Sequence, residues 1–149
     1  MDNVSELIRL IGKAYADEMT ATLQYQMAAH IARGPGYMDV VPEYLQHMKE
    51  EFEHAGEILK RLEQLGVSVM LDYAEIQKAG NEWTPIKTKN IKEQLDILIK
   101  AEAGARDFYK KIVELAKAEQ DWISEKLFKE LMEAEEEHRI DLIRILEGL

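Results

Sequence analysis

Glu51-Phe52-Glu53-His54 and Glu135-Glu136-Glu137-His138 each set a carboxylate three residues ahead of an imidazole inside a helical pattern. At about 100° per residue, positions i and i+3 share one helix face, so a carboxylate oxygen and an imidazole nitrogen can meet a single ion. One Glu-x-x-His says little, because both residues are ordinary in helices. The spacing around the two says more. Glu18 lies 33 residues before Glu51, and Glu102 lies 33 before Glu135. Tyr25 follows Glu18 by seven, and Tyr109 follows Glu102 by seven. The whole set repeats at an offset of 84, a coincidence that helix composition does not produce.

The chemistry these six ligand types suit is the holding of two metal ions. Four carboxylates carry −4 and two neutral imidazoles carry nothing. Buried ions cost several kcal/mol each after relaxation, and like charges add to that. Two divalent cations balance the set. Six side chains, two of the carboxylates bridging, fit a pair of ions about 3.5–4 Å apart. Oxygen-rich ligands with one imidazole per ion suit iron, with manganese as the other choice. Zinc sites usually close with four ligands, and calcium rarely takes His.

Four long helices must position these groups, and no strand pattern competes. The first is expected from Val4 to Arg33, with a seam of Val4, Leu7, Ile11, Ala14, Glu18, Ala21, Tyr25 and Ala28 at steps of three and four. Gly34-Pro35-Gly36 ends it. The second is expected from Val41 to Leu65, with Pro42 in its first turn and Gly66 after it. Its seam is Tyr44, Met48, Glu51, Ala55, Ile58, Leu62 and Leu65. Residues 67–89 form a long connection, with a short helix over Asp72–Ala79 and an extended stretch at Glu82-Trp83-Thr84-Pro85. The third helix begins at Asn90, where Asn90-Ile91-Lys92-Glu93 reads as a capping box. Its seam runs Ile91, Leu95, Leu98, Glu102, Ala105, Tyr109, Ile112, Ala116. The fourth starts near Asp121 and runs towards Leu146, with Leu131, Glu135, His138, Leu142 and Ile145 inward. Short turns make each neighbouring pair antiparallel, and the midpoint of Glu18 and Glu51 falls on the Gly-Pro-Gly turn. Two similar hairpins docked face to face then bring all four carboxylates to mid-bundle. The expected fold is all-α: an antiparallel four-helix bundle with a long crossover between helices two and three, one domain over residues 1–149.

With 149 residues, the chain has the size of one domain with a sizeable core. The formal charge of −10 disfavours nucleic acid and anionic membranes as partners and favours cations. No apolar run nears the ~18 residues of a membrane span. The absence of Cys excludes a disulfide framework, a zinc ribbon and a rubredoxin-type iron site. The first residues lack the pattern of a signal peptide, so a cytoplasmic location is expected.

A Glu from each of two helices and a Glu-x-x-His from each of the other two resembles the ferritin-like di-iron carboxylate proteins, over nearly the whole chain. Glu18-Met19-Thr20-Ala21-Thr22-Leu23-Gln24-Tyr25 is similar to the first-helix motif of bacterioferritin, and Glu51 and His54 fall at its spacing. The resemblance implies that Glu18, Glu51 and His54 hold one iron and Glu102, Glu135 and His138 the other, with Glu51 and Glu135 as bridges. These six would also be the catalytic residues of a ferroxidase that oxidises Fe2+ with dioxygen or hydrogen peroxide, in iron storage, detoxification and oxidative-stress protection. The alternative is a rubrerythrin-like di-iron peroxidase or oxidase without a rubredoxin domain, fed by an external electron donor. A metal-binding bundle without turnover is a third reading.

Bacterioferritin holds haem through a Met between the Glu and His of its second helix. Phe52 stands there, so no haem is expected. Eleven residues follow His138, too few for that family's short fifth helix. The long connection resembles that of Dps-like mini-ferritins, and the combination resembles Dps-like proteins with a bacterioferritin-type intrasubunit site, without their Cys pair. A homo-oligomer is expected, with a 12-subunit shell favoured and a dimer as rival.

Tyr25 and Tyr109 sit two turns from Glu18 and Glu102, as hydrogen-bond donors to ligating carboxylates or as core phenols satisfied elsewhere. His47 reads as a seam residue or a ligand, and His30 as a surface residue in a last helical turn. Glu50, Glu53, Glu57, Glu133, Glu136 and Glu137 read as a solvated face or as carboxylates that conduct iron.

Overall fold

A computed structural model describes residues 2–68, 71–81 and 83–149. Five helices follow in order: α1 (Asn3–Ile31), α2 (Tyr37–Gln64), α3 (Tyr73–Ala79), α4 (Ile91–Ala118) and α5 (Trp122–Gly148). The described residues contain no strand, only an isolated bridge between Arg33 and Asn90. Among the described residues no helix is long and apolar enough to cross a membrane.

Three of the four long helices start where a side chain satisfies a free N–H group, while α2 starts at Gly36 without one. Asp2, Asn90 and Asp121 accept from the backbone N–H of Ser5, Glu93 and Ser124. At Asn90 the expected capping box is only half made. Glu93 turns to Thr88 Oγ1 at 2.6 Å, and that hydroxyl takes the Asn90 N–H. At α3 the box is complete, between Asp72 and Glu75.

The start of α2 corrects the sequence reading. Gly36, at φ 91°, turns the chain tightly enough for the helix to begin at Tyr37 rather than Val41. Val40, fully buried, anchors this extra turn. Pro42 therefore sits inside the helix, where it removes the bond that the Met38 carbonyl would accept. Met38 is 80% exposed. At the other end of α1, the helix stops two residues before the expected Arg33, at an extended Ala32.

α1 packs most extensively on α2, and α4 on α5, so the molecule is built from two antiparallel hairpins. The crossover returns along α1. Asn81 gives its backbone and side-chain N–H groups to the two oxygens of Asp17 at 2.7 and 2.6 Å. Gln24 Nε2 donates to the Thr84 carbonyl at 2.7 Å. Gly80 lies so close to this clamp that a Cβ there would sit 2.5 Å from Asp17 Oδ1. Glu82, expected to be extended, lies outside the described residues.

The core divides into two apolar clusters. One contains Leu7, Ile11, Ile58, Leu62, Ile112 and Phe128. The other contains Ala28, Val40, Tyr44, Leu95, Leu98 and Leu142. Each large side chain stabilises by roughly 1.5–3 kcal/mol when fully buried. The seam carboxylates fall between the clusters: Glu18 between Ala14 and Tyr25, Glu102 between Leu98 and Tyr109. Packing on both sides fixes the helices at this level, so the acidic groups cannot relieve their repulsion by moving apart.

Candidate metal centre

Glu18 on α1, Glu51 on α2, Glu102 on α4 and Glu135 on α5 are each at most 3% exposed, as is His138, and His54 is slightly more open. Their ligand atoms form two overlapping groups. Glu18, Glu51, His54 and Glu135 lie within 4.8 Å of one another, and so do Glu51, Glu102, Glu135 and His138. Glu51 and Glu135 belong to both. His54 Nδ1 is 3.7, 3.5 and 3.4 Å from Glu18, Glu51 and Glu135. His138 Nδ1 is 3.0, 3.6 and 3.8 Å from Glu51, Glu102 and Glu135. The structure thus places all six sequence-derived ligands at one level of the bundle.

All six leave an atom buried without a hydrogen-bond partner: Glu18 Oε2, Glu51 Oε1, His54 Nδ1, Glu102 Oε2, both oxygens of Glu135 and His138 Nδ1. Buried polar groups are normally paired, since an orphan costs about 1–3 kcal/mol. Four acceptor-rich carboxylates and two imidazole nitrogens that converge at one level fit a pair of cations.

Without cations, protons do part of that work. Burial, reinforced by Glu51, pushes Glu18 up to about 8. Burial and the charges of Glu102, Glu51 and Glu18 push Glu135 well above the usual range. Burial works against the charge on His54, but Glu18 and Glu51 outweigh it and raise the imidazole to about 10. In the same way Glu102 and Glu51 overcome burial and raise His138 to about 12. Burial also opposes ionisation of Glu51, yet the two imidazoles hold it below the ordinary carboxylate range.

Both expected tyrosines reach carboxylates of the candidate centre, each across the bundle. Tyr25 on α1 donates to Glu102 Oε1 on α4 at 2.5 Å, and Tyr109 on α4 donates to Glu18 Oε1 on α1. Burial, then the charge of the partner carboxylate, pushes both phenols well above 10, so they remain donors.

Two neighbours of the centre are Glu50, read from the sequence as a solvated or iron-conducting carboxylate, and His47, read as a seam residue or a ligand. Glu50 Oε2 lies 2.5 Å from His138 Nε2, which leaves Nδ1 facing the carboxylates. His47 is buried and stacks on His138, with ring centroids 4.0 Å apart and planes at 22°. Glu50 precedes Glu51 in sequence, but its partner lies 88 residues away, a relation no local pattern carries. Of the other residues read as surface, His30, Glu53 and Glu57 are exposed.

A cavity of about 550 Å³ opens between α1 and α4 and reaches Glu51, Glu102 and Glu135. Ala21, Ala101, Gly104 and Ala105 line it, and these small side chains leave the space unfilled. Trp83 and Thr84 of the crossover stand at its edge.

The ferritin-like domain profile matches residues 8–149. A bacterioferritin of Brucella melitensis is 26% identical over 144 residues, 96% of this chain and 83% of that protein. Among solved structures, the bacterioferritin-related protein of Bacteroides fragilis, a dodecameric thioferritin, superposes with a TM-score of 0.93 at 26% identity. That match covers 99% of this chain and 88% of that one. Dps from Thermosynechococcus elongatus gives 0.89 at 19% identity, over 95% and 90% of the two chains, a likeness of fold.

Proposed function

The chain belongs to the ferritin-like domain family, and on that premise we propose that it oxidises Fe2+ with dioxygen or hydrogen peroxide at a two-iron centre. The role proposed is cytoplasmic iron storage and protection against oxidative stress. The observation that carries this reading is the set of six candidate ligand side chains, each with a buried orphaned atom, in two groups that share Glu51 and Glu135.

Two Fe2+ ions bound there supply the two electrons that reduce dioxygen to hydrogen peroxide, or peroxide to water. The chain's own residues set up that exchange. His54 and His138 hold protons on the metal-free centre and release them as ions are taken up. Glu51 and Glu135, which belong to both groups, would hold the two ions as a pair, and four carboxylates would favour the ferric product over the ferrous substrate. Tyr25, Tyr109 and Glu50 orient Glu102, Glu18 and His138. The cavity between α1 and α4 offers the oxidant and the ion a way in. No haem is proposed at Phe52, whose ring offers no ligand atom.

The assembly proposed is a shell of twelve. Its support is the Bacteroides fragilis relative, matched over 99% of this chain. Met27, Leu45 and Phe52, 51%, 43% and 61% exposed on α1 and α2, give a subunit contact apolar surface to cover.

Metal analysis and stopped-flow absorbance test the reading. The native protein should take up two ions at the centre per chain and oxidise Fe2+ rapidly, while Glu102→Ala and Glu51→Ala/Glu135→Ala lose both properties. Equal rates in native and variant protein would refute it. Light scattering after size exclusion should give a mass near twelve chains; a mass near two would remove storage and leave a peroxidase fed by an external donor.

A further inference from the structure

We infer that Glu43, His47 and Asp141 form a further divalent-cation site, separate from the six-ligand centre, for a first-row ion such as Mn2+, Co2+ or Fe2+. His47 Nε2 lies 2.9 Å from Glu43 Oε1, one turn earlier on α2, and 3.8 Å from Asp141 Oδ2 on α5. One ligand atom from each of the three lies within 4.8 Å of the other two.

The imidazole is what separates this group from an ordinary acidic patch. His47 is 1% exposed, and neither of its ring nitrogens makes a hydrogen bond. Glu43 is close enough to bond Nε2 but is misdirected for it. A buried donor-acceptor ring without a partner is rare in folded proteins and calls for an occupant. The ring is also fixed in place: it stacks on His138 and meets the Tyr25 ring edge-on at 5.1 Å. A ligand held by packing on two sides loses little freedom when an ion binds.

Charge and access agree. Two carboxylates balance one divalent ion, and one nitrogen with two oxygens suits iron, manganese or cobalt. The Glu43 and Asp141 side chains are 33% and 41% exposed, so an ion reaches the buried nitrogen from solvent and keeps water on its open positions. Arg144 does not neutralise the group. Its Nη1 is 3.6 Å from Asp141 Oδ1, the oxygen other than the one nearest His47, and its side chain is 74% exposed.

Co2+ tests the site. Equilibrium dialysis with metal analysis should count one more ion per chain in the native protein than in Glu43→Gln/Asp141→Asn, two partly exposed positions where the amides preserve size. The difference counts this site alone. If the six-ligand centre fails to bind, both totals drop and the difference persists. Equal totals would overturn the inference. Anomalous scattering at the cobalt edge should place a peak among Glu43, His47 and Asp141. His47 also offers a ligand atom within 4.8 Å of atoms of Glu102 and His138, and a peak there, with none among Glu43, His47 and Asp141, would overturn the inference as well.

Discussion

Tyr25 on α1 donates a 2.5 Å hydrogen bond to Glu102 on α4, and Tyr109 on α4 returns the arrangement to Glu18 on α1. Each hairpin thus orients a candidate ligand of the other. A phenol donating to a carboxylate makes a strong, charge-assisted bond in a dry environment. Removing it frees a carboxylate to rotate away from the ion. Tyr109→Phe should keep the fold and weaken metal binding by about 10–100-fold. Competition with a chelator of known affinity measures this; unchanged affinity would show that packing alone holds Glu18.

The protons on the metal-free centre predict its pH behaviour. His54 is raised from 6.5 to about 10, so the stability it contributes is complete below 6.5 and lost as pH rises through 10. Glu18 is raised from 4.5 to about 8, so its contribution is complete below 4.5 and lost as pH rises through 8. Both act in the same direction and overlap between pH 6.5 and 8. The melting temperature of the metal-free protein should fall across that window, while metal affinity rises because fewer protons compete. Thermal unfolding with and without metal checks the pair of trends. A metal-free protein that grows more stable from pH 6.5 to 8 would contradict the assignment.

Glu50 gives a positional prediction. Partial burial disfavours its charge, but hydrogen bonds from Gln46 and His138 outweigh this and hold it below the usual range. It therefore remains an acceptor for His138 Nε2–H and fixes the tautomer that presents Nδ1. Glu50→Ala should weaken metal binding by about 10–100-fold. Exposed Glu53, on the same helix, supplies the control: Glu53→Ala should leave affinity unchanged. Equal effects would mean that net charge, not orientation, is responsible.

The legible part of the chain was its periodic part. Glu18 and Glu102 were conspicuous because they interrupt apolar seams at helical steps, and Gly36 marked a turn that the backbone makes with positive φ. The start of α2 was misread because Pro42 suits a first turn, while Gly36 allowed a helix to begin five residues before the proline. The crossed tyrosine bonds were hidden for a different reason. Periodicity puts Tyr25 on the face of Glu18, but its hydroxyl extends past that carboxylate to the opposite helix, and only the separation of α1 and α4 decides its partner. His47 was ambiguous for the same reason: seam position fixes burial but not which neighbours a ring meets.

That separation of α1 and α4 also creates the cavity, and the last prediction concerns it. Ala105 belongs to the α4 seam, yet it is only half buried because the space before it is empty. A larger side chain there can extend into that space, so the overpacking penalty of about 1–3 kcal/mol typical of a filled core should be largely avoided. Ala105→Leu touches none of the six ligands and alters no charge, so the number of ions bound at equilibrium should stay the same. If ions and oxidant reach Glu51, Glu102 and Glu135 through this cavity, the bulkier side chain obstructs them, and Fe2+ oxidation should slow by about tenfold or more, equivalent to 1.4 kcal/mol in the barrier. Stopped-flow rates set beside equilibrium metal counts separate access from affinity. A rate equal to that of the native protein, with the count preserved, would mean that traffic passes elsewhere, with the partly open side of His54 as the next place to obstruct.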